Sequence, residues 1–383
     1  MKKYQLQNQL FALALGTLAA STAHAEAGVS STEIRIGMAN ALSGPAAALG
    51  TGMRQGATVL FNKVNAAGGI NGRKIKLVSV DDGYEPAQTA AATEKLIVNE
   101  SVFALFGYVG TPTSKAALPI ATKHGVPFFA PFTGAEFLRS PVDKLVFNVR
   151  ASYWNETEMQ VEHLAKDANI NRIGLFIQDD PYGVAGKEGV ERALRKSGQK
   201  PVAEARYKRN TEDVGAALDT LKATNPEAVV IVGTYGASSA FVKKANAAGF
   251  KPKFFNLSFV GTSNFIKASG ADGEGTYITQ VMPSPDDASM AIVHQYQADM
   301  KEAGITSYDY ISLEGYVDAA IFVEGLKAAG QDLTRPTLLA ALEKLKLNLG
   351  GLAVAFTPTD HQGLKKVYLT KVKGGKAVSV PSL

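Results

Sequence analysis

Short apolar runs alternate with segments of helical apolar spacing along most of the chain, and this alternation restricts the possible folds more than any other feature. The runs at 33–37 and 74–80, for example, are each followed by such a helical segment. Repeated strand–helix units predict parallel sheets that are covered by helices on both faces. The alternation restarts near Ala151, which predicts two doubly wound α/β lobes. The helices predicted after Pro283 must pack on one of these two cores, so we expect at least one return crossing.

The first 25 residues have the pattern of a secretory signal peptide. Lys2 and Lys3 precede a short apolar core at 10–20, and Ala23-His24-Ala25 has the small-x-small form of a cleavage site. The apolar core is too short to cross a bilayer as a helix. We therefore expect residues 1–25 to be removed and the mature protein to reach the periplasm.

The composition argues against several other classes of function. The chain contains no cysteine, which removes disulfides and thiolate chemistry. Its formal charge of +5 includes no dense basic run, so we expect no nucleic-acid partner. Its five histidines include no pair at metal-ligand spacing, so we expect no metal site.

Two neighbouring predicted strands, 102–106 and 126–130, end in loops that carry glycine and threonine. Thr111 followed by Pro112 is typical of a helix start, and the amides of a helix N-terminus bind small anions such as carboxylates. Because ligands bind at the carboxyl ends of strands in open parallel sheets, these loops predict one half of a small-molecule site. The alternative interpretation is a pair of ordinary strand-to-helix turns.

Aromatic side chains cluster at the predicted strand ends or just after the lobe boundary. They are Tyr108, Phe132, Tyr153, Trp154, Tyr182, Tyr235 and Phe259. Each could be an ordinary core residue, but ligand pockets are mostly apolar with a few polar anchors. Our hypothesis is therefore a small carboxylate ligand with an apolar or aromatic body. Arg150 could bind the carboxylate in a bidentate manner, although a structural ion pair beside the hinge is the favoured interpretation.

Several segments together resemble the branched-chain amino-acid-binding type of periplasmic solute-binding protein. In chain order they are Ile34-Arg35-Ile36-Gly37, Leu42-Ser43-Gly44-Pro45, Asn65-Ala66-Ala67-Gly68-Gly69-Ile70-Asn71-Gly72, Asp81-Asp82-Gly83-Tyr84-Glu85-Pro86 and Pro181-Tyr182-Gly183. The resemblance implies two flavodoxin-like lobes joined by three crossings, with an N-terminal lobe of 26–150 plus 282–355 and a C-terminal lobe of 151–281 plus 356–383. It also implies a monomer that closes on its ligand and delivers it to an ABC permease in the inner membrane.

The resemblance also assigns expected ligand-binding positions, one residue at a time. Thr111 matches the hydroxyl that binds a ligand carboxylate, with Tyr108 beside it. The second donor loop corresponds to Phe132-Thr133-Gly134, and Leu49 stands where an aromatic wall is common. Tyr182 and Tyr235 match positions at which the second lobe closes over the ligand, and Tyr153 and Phe259 complete the expected set.

Two positions depart from the family pattern. Members commonly have a disulfide between the positions of Tyr84 and Gly110, and here both cysteines are absent. Amino-acid binders place an acidic residue on the loop that reads Leu257-Ser258-Phe259-Val260, where it neutralises the ligand ammonium. Because burial of an unpaired ammonium is costly, its absence counts against an α-amino acid ligand. An aliphatic amino acid and an aromatic or other organic acid both remain open.

Two other functional classes compete with transport. One is a ligand-sensing module that docks on a membrane receptor, which shares the same binding chemistry. The other is a secreted α/β enzyme, but 40–45 lacks the G-x-G-x-x-G turn of a dinucleotide fold and Asp81 lies too far along the chain for its ribose acid. The sequence also has no G-x-S-x-G elbow and no P-loop. We therefore expect neither catalysis nor a cofactor.

Overall fold

The computed structural model describes residues 26–168 and 170–381. The predicted signal peptide lies outside this described part. Within it, no helix combines the length and the apolar character that a membrane crossing requires. The strands are β1 Glu33–Asn40, β2 Lys74–Asp81, β3 Ala104–Phe106, β4 Phe128–Phe129, β5 Val146–Phe147, β6 Ile173–Gln178, β7 Ala203–Tyr207, β8 Ala228–Val232, β9 Lys253–Asn256, β10 Tyr277–Gln280, β11 Lys346–Leu349, β12 Leu352–Ala355, β13 Tyr368–Lys373 and β14 Lys376–Ser379. The helices are α1 Ala47–Ala66, α2 Pro86–Val98, α3 Thr111–Lys123, α4 Tyr153–Ala168, α5 Pro181–Arg195, α6 Gly215–Thr224, α7 Tyr235–Ala247, α8 Thr262–Ser269, α9 Ala291–Glu302, α10 Tyr310–Ala329 and α11 Arg335–Leu342.

The strands before Ala151 form one parallel sheet in the order β2-β1-β3-β4-β5. On one face, α2 and α3 pack on the sheet through a cluster that includes Leu96 and Ala117. On the other face lie α1 and the late helices α9 to α11, which share a cluster that includes Phe61 and Phe322. The late part of the chain therefore returns to the first lobe. This return was expected, because the late helices could pack only on one of the two cores.

The second lobe is built on a sheet in the order β14-β13-β10-β9-β8-β6-β7. Strands β6 to β10 are parallel, whereas β13 and β14 are added antiparallel at one edge. Along β8, Val230 and Val232 face the side of α4 and α5, and Val229 and Ile231 face the side of α6 to α8. This alternation is the period of two expected for a strand that is buried on both faces. The fold is thus two doubly wound α/β lobes, as predicted.

The third crossing between the lobes lies near the C-terminus of the chain. Phe356 and Leu364 pack in the same cluster as the late helices of the first lobe. The chain then enters the second sheet with β13, which begins at Tyr368. From this packing we infer that the third crossing lies at about 365–367, later than the boundary at 355 that the resemblance implies.

Candidate ligand-binding cleft

The carboxyl ends of the strands in the two sheets meet at one buried cluster. From the first lobe this cluster includes Leu49, Val109 and Phe132, and from the second lobe it includes Tyr182 and Phe259. Ligands of open α/β sheets bind outside the carboxyl ends of the strands. The junction between the lobes is therefore the candidate site, which we call the cleft.

Two threonine hydroxyls lie side by side on the first-lobe side of the cleft. Thr111 Oγ1 and Thr133 Oγ1 are 2.6 Å apart, and both side chains are buried. The Tyr153 hydroxyl lies 3.3 Å from Thr133 Oγ1. Because each hydroxyl can rotate its proton, a carboxylate placed at this pair can accept a hydrogen bond from both.

The N-terminus of α3 lies at the same position. Thr111 is its first residue, and the preceding Gly110 has no side chain that could cap the helix. The first amides of a helix have no acceptor within the helix, and the helix dipole favours an anion near them. Hydroxyls and amides therefore point to a site for a small anion.

Tyr84 and Gly110 lie in contact at the two positions where members of the resembled family commonly have a disulfide. A Cβ added at Gly110 would lie 2.3 Å from the Tyr84 ring, and Gly110 has φ +104°, which glycine adopts readily. The Tyr84 hydroxyl accepts a hydrogen bond of 3.2 Å from Gln178 Nε2 of the second lobe. Tyr84 thus joins the lobes, and sequence reasoning did not include it among the ligand-binding residues.

Aromatic rings fill the centre of the cleft. The ring centroids of Phe132 and Phe259 are 5.4 Å apart, and those of Tyr182 and Phe259 are 4.7 Å apart. Tyr153 lies 5.5 Å from Tyr182 and approaches Gly134 so closely that a Cβ there would be 2.5 Å from the Tyr153 ring. The Tyr182 hydroxyl is buried and has no hydrogen-bond partner among the described residues.

Leu49, Tyr235 and Tyr108 were also expected to bind the ligand, and they lie outside this group of aromatic rings. Leu49 is buried beside Gly261, where an added Cβ would lie 2.9 Å from Leu49 Cδ2. The Tyr235 hydroxyl is 3.5 Å from the Ala48 amide, so Tyr235 reaches across to the start of α1. Tyr108 packs instead between the sheet and α2 and α3, where it is 5.0 Å from Phe128. The side chain of Tyr108 is therefore separated from the side chains of the other expected residues.

Arg150 is buried beside the cleft with an exposed fraction of 1%. Its Nε is 3.3 Å from Glu314 Oε1, and its Nη2 donates a hydrogen bond to Ser258 Oγ. The guanidinium carbon lies 4.4 Å from the centroid of the Phe132 ring. The ion pair that the sequence favoured for Arg150 is thus present, and its acidic partner is Glu314.

Two buried carboxyl groups lie near the loop that carries no acid. Glu156 accepts hydrogen bonds from the Ser258 amide at 2.8 Å and from Ser258 Oγ at 2.9 Å. Burial raises the pKa of Glu156, and the hydrogen bonds and Arg150 oppose this rise. Burial also raises the pKa of Glu314 to about 7, again against the attraction of Arg150. Neither acid was among the expected site residues, because they come from α4 and α10, far from the loop in sequence. The sequence indicated a solvated Glu156 in a first helical turn, and this interpretation is wrong because its side chain is buried.

No group of acidic and histidine side chains suited to a metal ion occurs in residues 26–168 and 170–381. The cleft instead combines an anion site, aromatic walls and a buried ionic network. Such an arrangement has the donors and apolar surface that a small organic anion needs for binding.

Known proteins resemble this chain over most of its length. Residues 33–377 match the model of the family described as periplasmic binding protein. The Leu/Ile/Val-binding protein homolog 7 of Brucella abortus is 26% identical over 369 residues, which cover 92% of this chain and 90% of that protein. The crystal structure of a possible leucine/isoleucine/valine-binding protein from Rhodopirellula baltica is 35% identical with a TM-score of 0.87, and the match covers 92% of this chain and 97% of that one.

A substrate-binding periplasmic protein from Ralstonia solanacearum is also similar in structure. It is 28% identical with a TM-score of 0.86, and the match covers 91% of this chain and 100% of that one. The family match extends across both lobes, and the two-lobed fold and the cleft agree with it. The chain belongs to the periplasmic binding protein family, and within it to the branched-chain amino-acid-binding type that its sequence motifs resemble.

Proposed function

We propose that this chain is the periplasmic solute-binding protein of an ABC importer and that it binds a small carboxylate by closure of its two lobes. The hydroxyl pair of Thr111 and Thr133 beside the N-terminus of α3 is the observation that carries this proposal. It offers donors to an anion at the place where open α/β sheets bind ligands. Family membership supports a solute-binding role over catalysis.

The first lobe would hold the carboxylate, and the second lobe would close over the rest of the ligand. Thr111, Thr133 and the amides near Gly134 would bind the carboxylate, while Leu49 and Phe132 would contact its apolar body. Tyr153, Tyr182, Tyr235 and Phe259 would cover it. Closure removes water from the cleft, and a lower local dielectric strengthens the hydrogen bonds to the anion. In this proposal a cleaved leader brings the protein to the periplasm, where its closed monomer is recognised by the permease.

Two kinds of ligand compete for this proposed role. The names of the relatives refer to branched-chain amino acids, which favours an aliphatic amino acid. The loop at 257–260 has no acid for an ammonium, which favours an organic acid without one. Calorimetry with leucine and with benzoate separates these cases, because tight binding of leucine alone contradicts the organic-acid version.

The anchor is tested by the double substitution Thr111→Val and Thr133→Val. One hydrogen bond to a charged group contributes about 1.5–3 kcal/mol, so we expect the affinity for the bound carboxylate to fall at least about tenfold. Titration by calorimetry measures this change, and Trp154, the only tryptophan of the sequence, gives a fluorescence signal one residue from Tyr153.

Thr157→Val is a matched control for that experiment. Thr157 is also buried, but its hydroxyl donates to the Tyr153 carbonyl within α4. We expect this variant to bind as the unchanged protein does. An affinity of the double variant that stays within about a factor of two of the unchanged protein contradicts the anchor, since this change is below 0.5 kcal/mol or so.

A further inference from the structure

Arg150 connects both lobes at the edge of the cleft. Its side chain is held between Glu314 of α10 in the first lobe and Ser258 after β9 in the second lobe. Its guanidinium also lies on the ring of Phe132, the residue before the anchor Thr133. A change in the position of either lobe therefore changes the surroundings of this one cation.

The contacts of Arg150 leave part of its hydrogen-bonding capacity unused. Nη2 donates to Ser258, but Nη1 has no hydrogen-bond partner among the described residues. Nε faces Glu314 at 3.3 Å without the alignment of a hydrogen bond. Buried donors of a charged group are costly when unpaired, because they have lost water and gained nothing in exchange. The ion pair with Glu314 therefore does not account for the whole guanidinium.

The neighbours of Arg150 line a small cavity between the lobes. Phe132, Ser258 and Glu314 all border it, together with Ile311 of α10. Arg139 Nη2 donates a hydrogen bond to the carbonyl of Thr133 at 3.3 Å and another to the carbonyl of Arg150 at 3.1 Å. It therefore connects the backbone of the proposed anchor residue with that of Arg150. The Arg150 guanidinium contacts the ring of Phe132, so a ligand held at Thr133 would lie next to the residue that Arg150 contacts.

The unpaired N–H groups of Arg150 favour an acceptor over a cation at this cavity. Glu314 is already paired with Arg150. Glu156 accepts hydrogen bonds from the amide and the hydroxyl of Ser258 and from Thr279 Oγ1. A ligand ammonium would meet a guanidinium here and would compete with it for an acid that is in use. An oxygen acceptor would take the free N–H groups without disturbing either carboxylate.

We propose that Arg150 contacts the ligand directly through a second oxygen, so that the preferred ligand is a carboxylate with an additional oxygen acceptor, such as an oxo group or a second carboxylate. This inference rests on the proposed carboxylate site at Thr111 and Thr133. Arg150 is then a residue that determines specificity, in addition to its ion pair with Glu314.

A series of acids with the same chain length tests this proposal by calorimetry. The probes are pentanoate, 2-oxopentanoate, 4-oxopentanoate and glutarate. They differ in the presence and position of the second oxygen. A hydrogen bond to a charged donor corresponds to about tenfold to a hundredfold in affinity, so we expect at least one oxygen-bearing acid to bind that much more tightly than pentanoate.

The substitution Arg150→Met should lower the affinity for the oxygen-bearing acids more than the affinity for pentanoate and so abolish this preference. Because the single change leaves Glu314 buried without its partner, the double variant Arg150→Met with Glu314→Gln provides a second protein that should behave in the same way. Arg195→Met removes an exposed guanidinium from the end of α5 and should keep the preference. Circular dichroism and thermal unfolding confirm that each variant is folded.

Three results overturn the inference. They are equal binding of all four acids by the unchanged protein, a preference that persists in both Arg150 variants, and a loss of affinity by the same factor for pentanoate and the oxygen-bearing acids. These results are distinguishable from a failure of the proposed function. In that case the Thr111→Val and Thr133→Val variant binds every acid as the unchanged protein does.

Discussion

Arg209 and Asn210 make a polar contact between the lobes at the rim of the cleft, and its removal should weaken ligand binding. Arg209 Nη2 donates to Glu85 Oε2 at 2.7 Å, and Asn210 Nδ2 donates to Glu85 Oε1 at 2.7 Å and to the Gly83 carbonyl at 3.1 Å. Glu85 and Gly83 belong to the first lobe, whereas Arg209 follows β7 in the second. In the proposed closure these bonds would form only in the closed protein, so they would favour the closed form and with it the bound ligand.

The exposure of the pair sets the size of the expected effect. Glu85 is 39% exposed, so water and salt screen its attraction to Arg209. The second bond of Arg209, to Asp180 at 3.0 Å, lies within one lobe and does not depend on closure. We therefore assign about 0.5–1 kcal/mol to the bond between the lobes, the upper part of the range for exposed pairs. The variant Arg209→Met should raise the dissociation constant about twofold to fivefold.

The assay is calorimetric titration of a carboxylate ligand at low and at high salt. Arg206→Met is the matched control, because Arg206 pairs with Asp179 at 2.8 Å and with Glu204 at 2.6 Å within the second lobe. It removes the same charge without touching the contact between lobes, and it should leave the affinity unchanged. The difference between the two variants should shrink at about 1 M salt, where the screening length is about 3 Å. Equal affinities of both variants at low salt refute a role of Arg209 in closure.

Two further predictions concern stability. Gly56→Ala should lower the free energy of unfolding by at least about 2 kcal/mol, because the added Cβ would lie 1.8 Å from the Ser312 carbonyl oxygen where α1 packs on α10. The control Gly215→Ala adds a Cβ in open space, so it should change this free energy by no more than about 0.5 kcal/mol. Urea unfolding measures both changes. Burial raises the pKa of Asp82 from 3.8 to about 6, so its contribution to stability is present below the lower value and is lost as pH rises through the higher one. The stability of the unchanged protein relative to Asp82→Asn should therefore fall by up to about 3 kcal/mol between about pH 4 and pH 7, and a constant difference would contradict this reasoning.

Most regular elements of the fold could be predicted because their apolar periods are strong. The apolar runs at 33–37 and 74–80 begin at the same residues as β1 and β2. Thr211-Glu212-Asp213 has the acidic pattern of a first helical turn, but α6 begins only at Gly215, because an acidic first turn is a weak signal without a capping side chain. Strands β11 and β14 were missed, since both are short and partly exposed and alternate too few apolar residues to be recognised.

The position of the threonine pair was more predictable than the positions of the aromatic side chains. Thr111 and Thr133 stand at the ends of neighbouring strands, and parallel strands bring their carboxyl ends together, so local sequence was enough to place them side by side. Tyr108 follows the same strand as Thr111 but points under the sheet. The direction of one side chain at a strand end depends on the turn, and the strand pattern does not contain it.

The ionic network around Arg150 had a signal in the sequence after all. Helix α10 is buried around its whole circumference, yet it contains Glu314 and Asp318 four residues apart. Acidic side chains are rarely buried without a partner, so two of them in such a helix require a cation or bound protons nearby. Burial indeed raises the pKa of Asp318 well above its usual range, while Glu314 has Arg150. Buried acids in an apolar helix therefore predict a buried arginine elsewhere, and here that arginine lies where the two lobes and the proposed ligand meet.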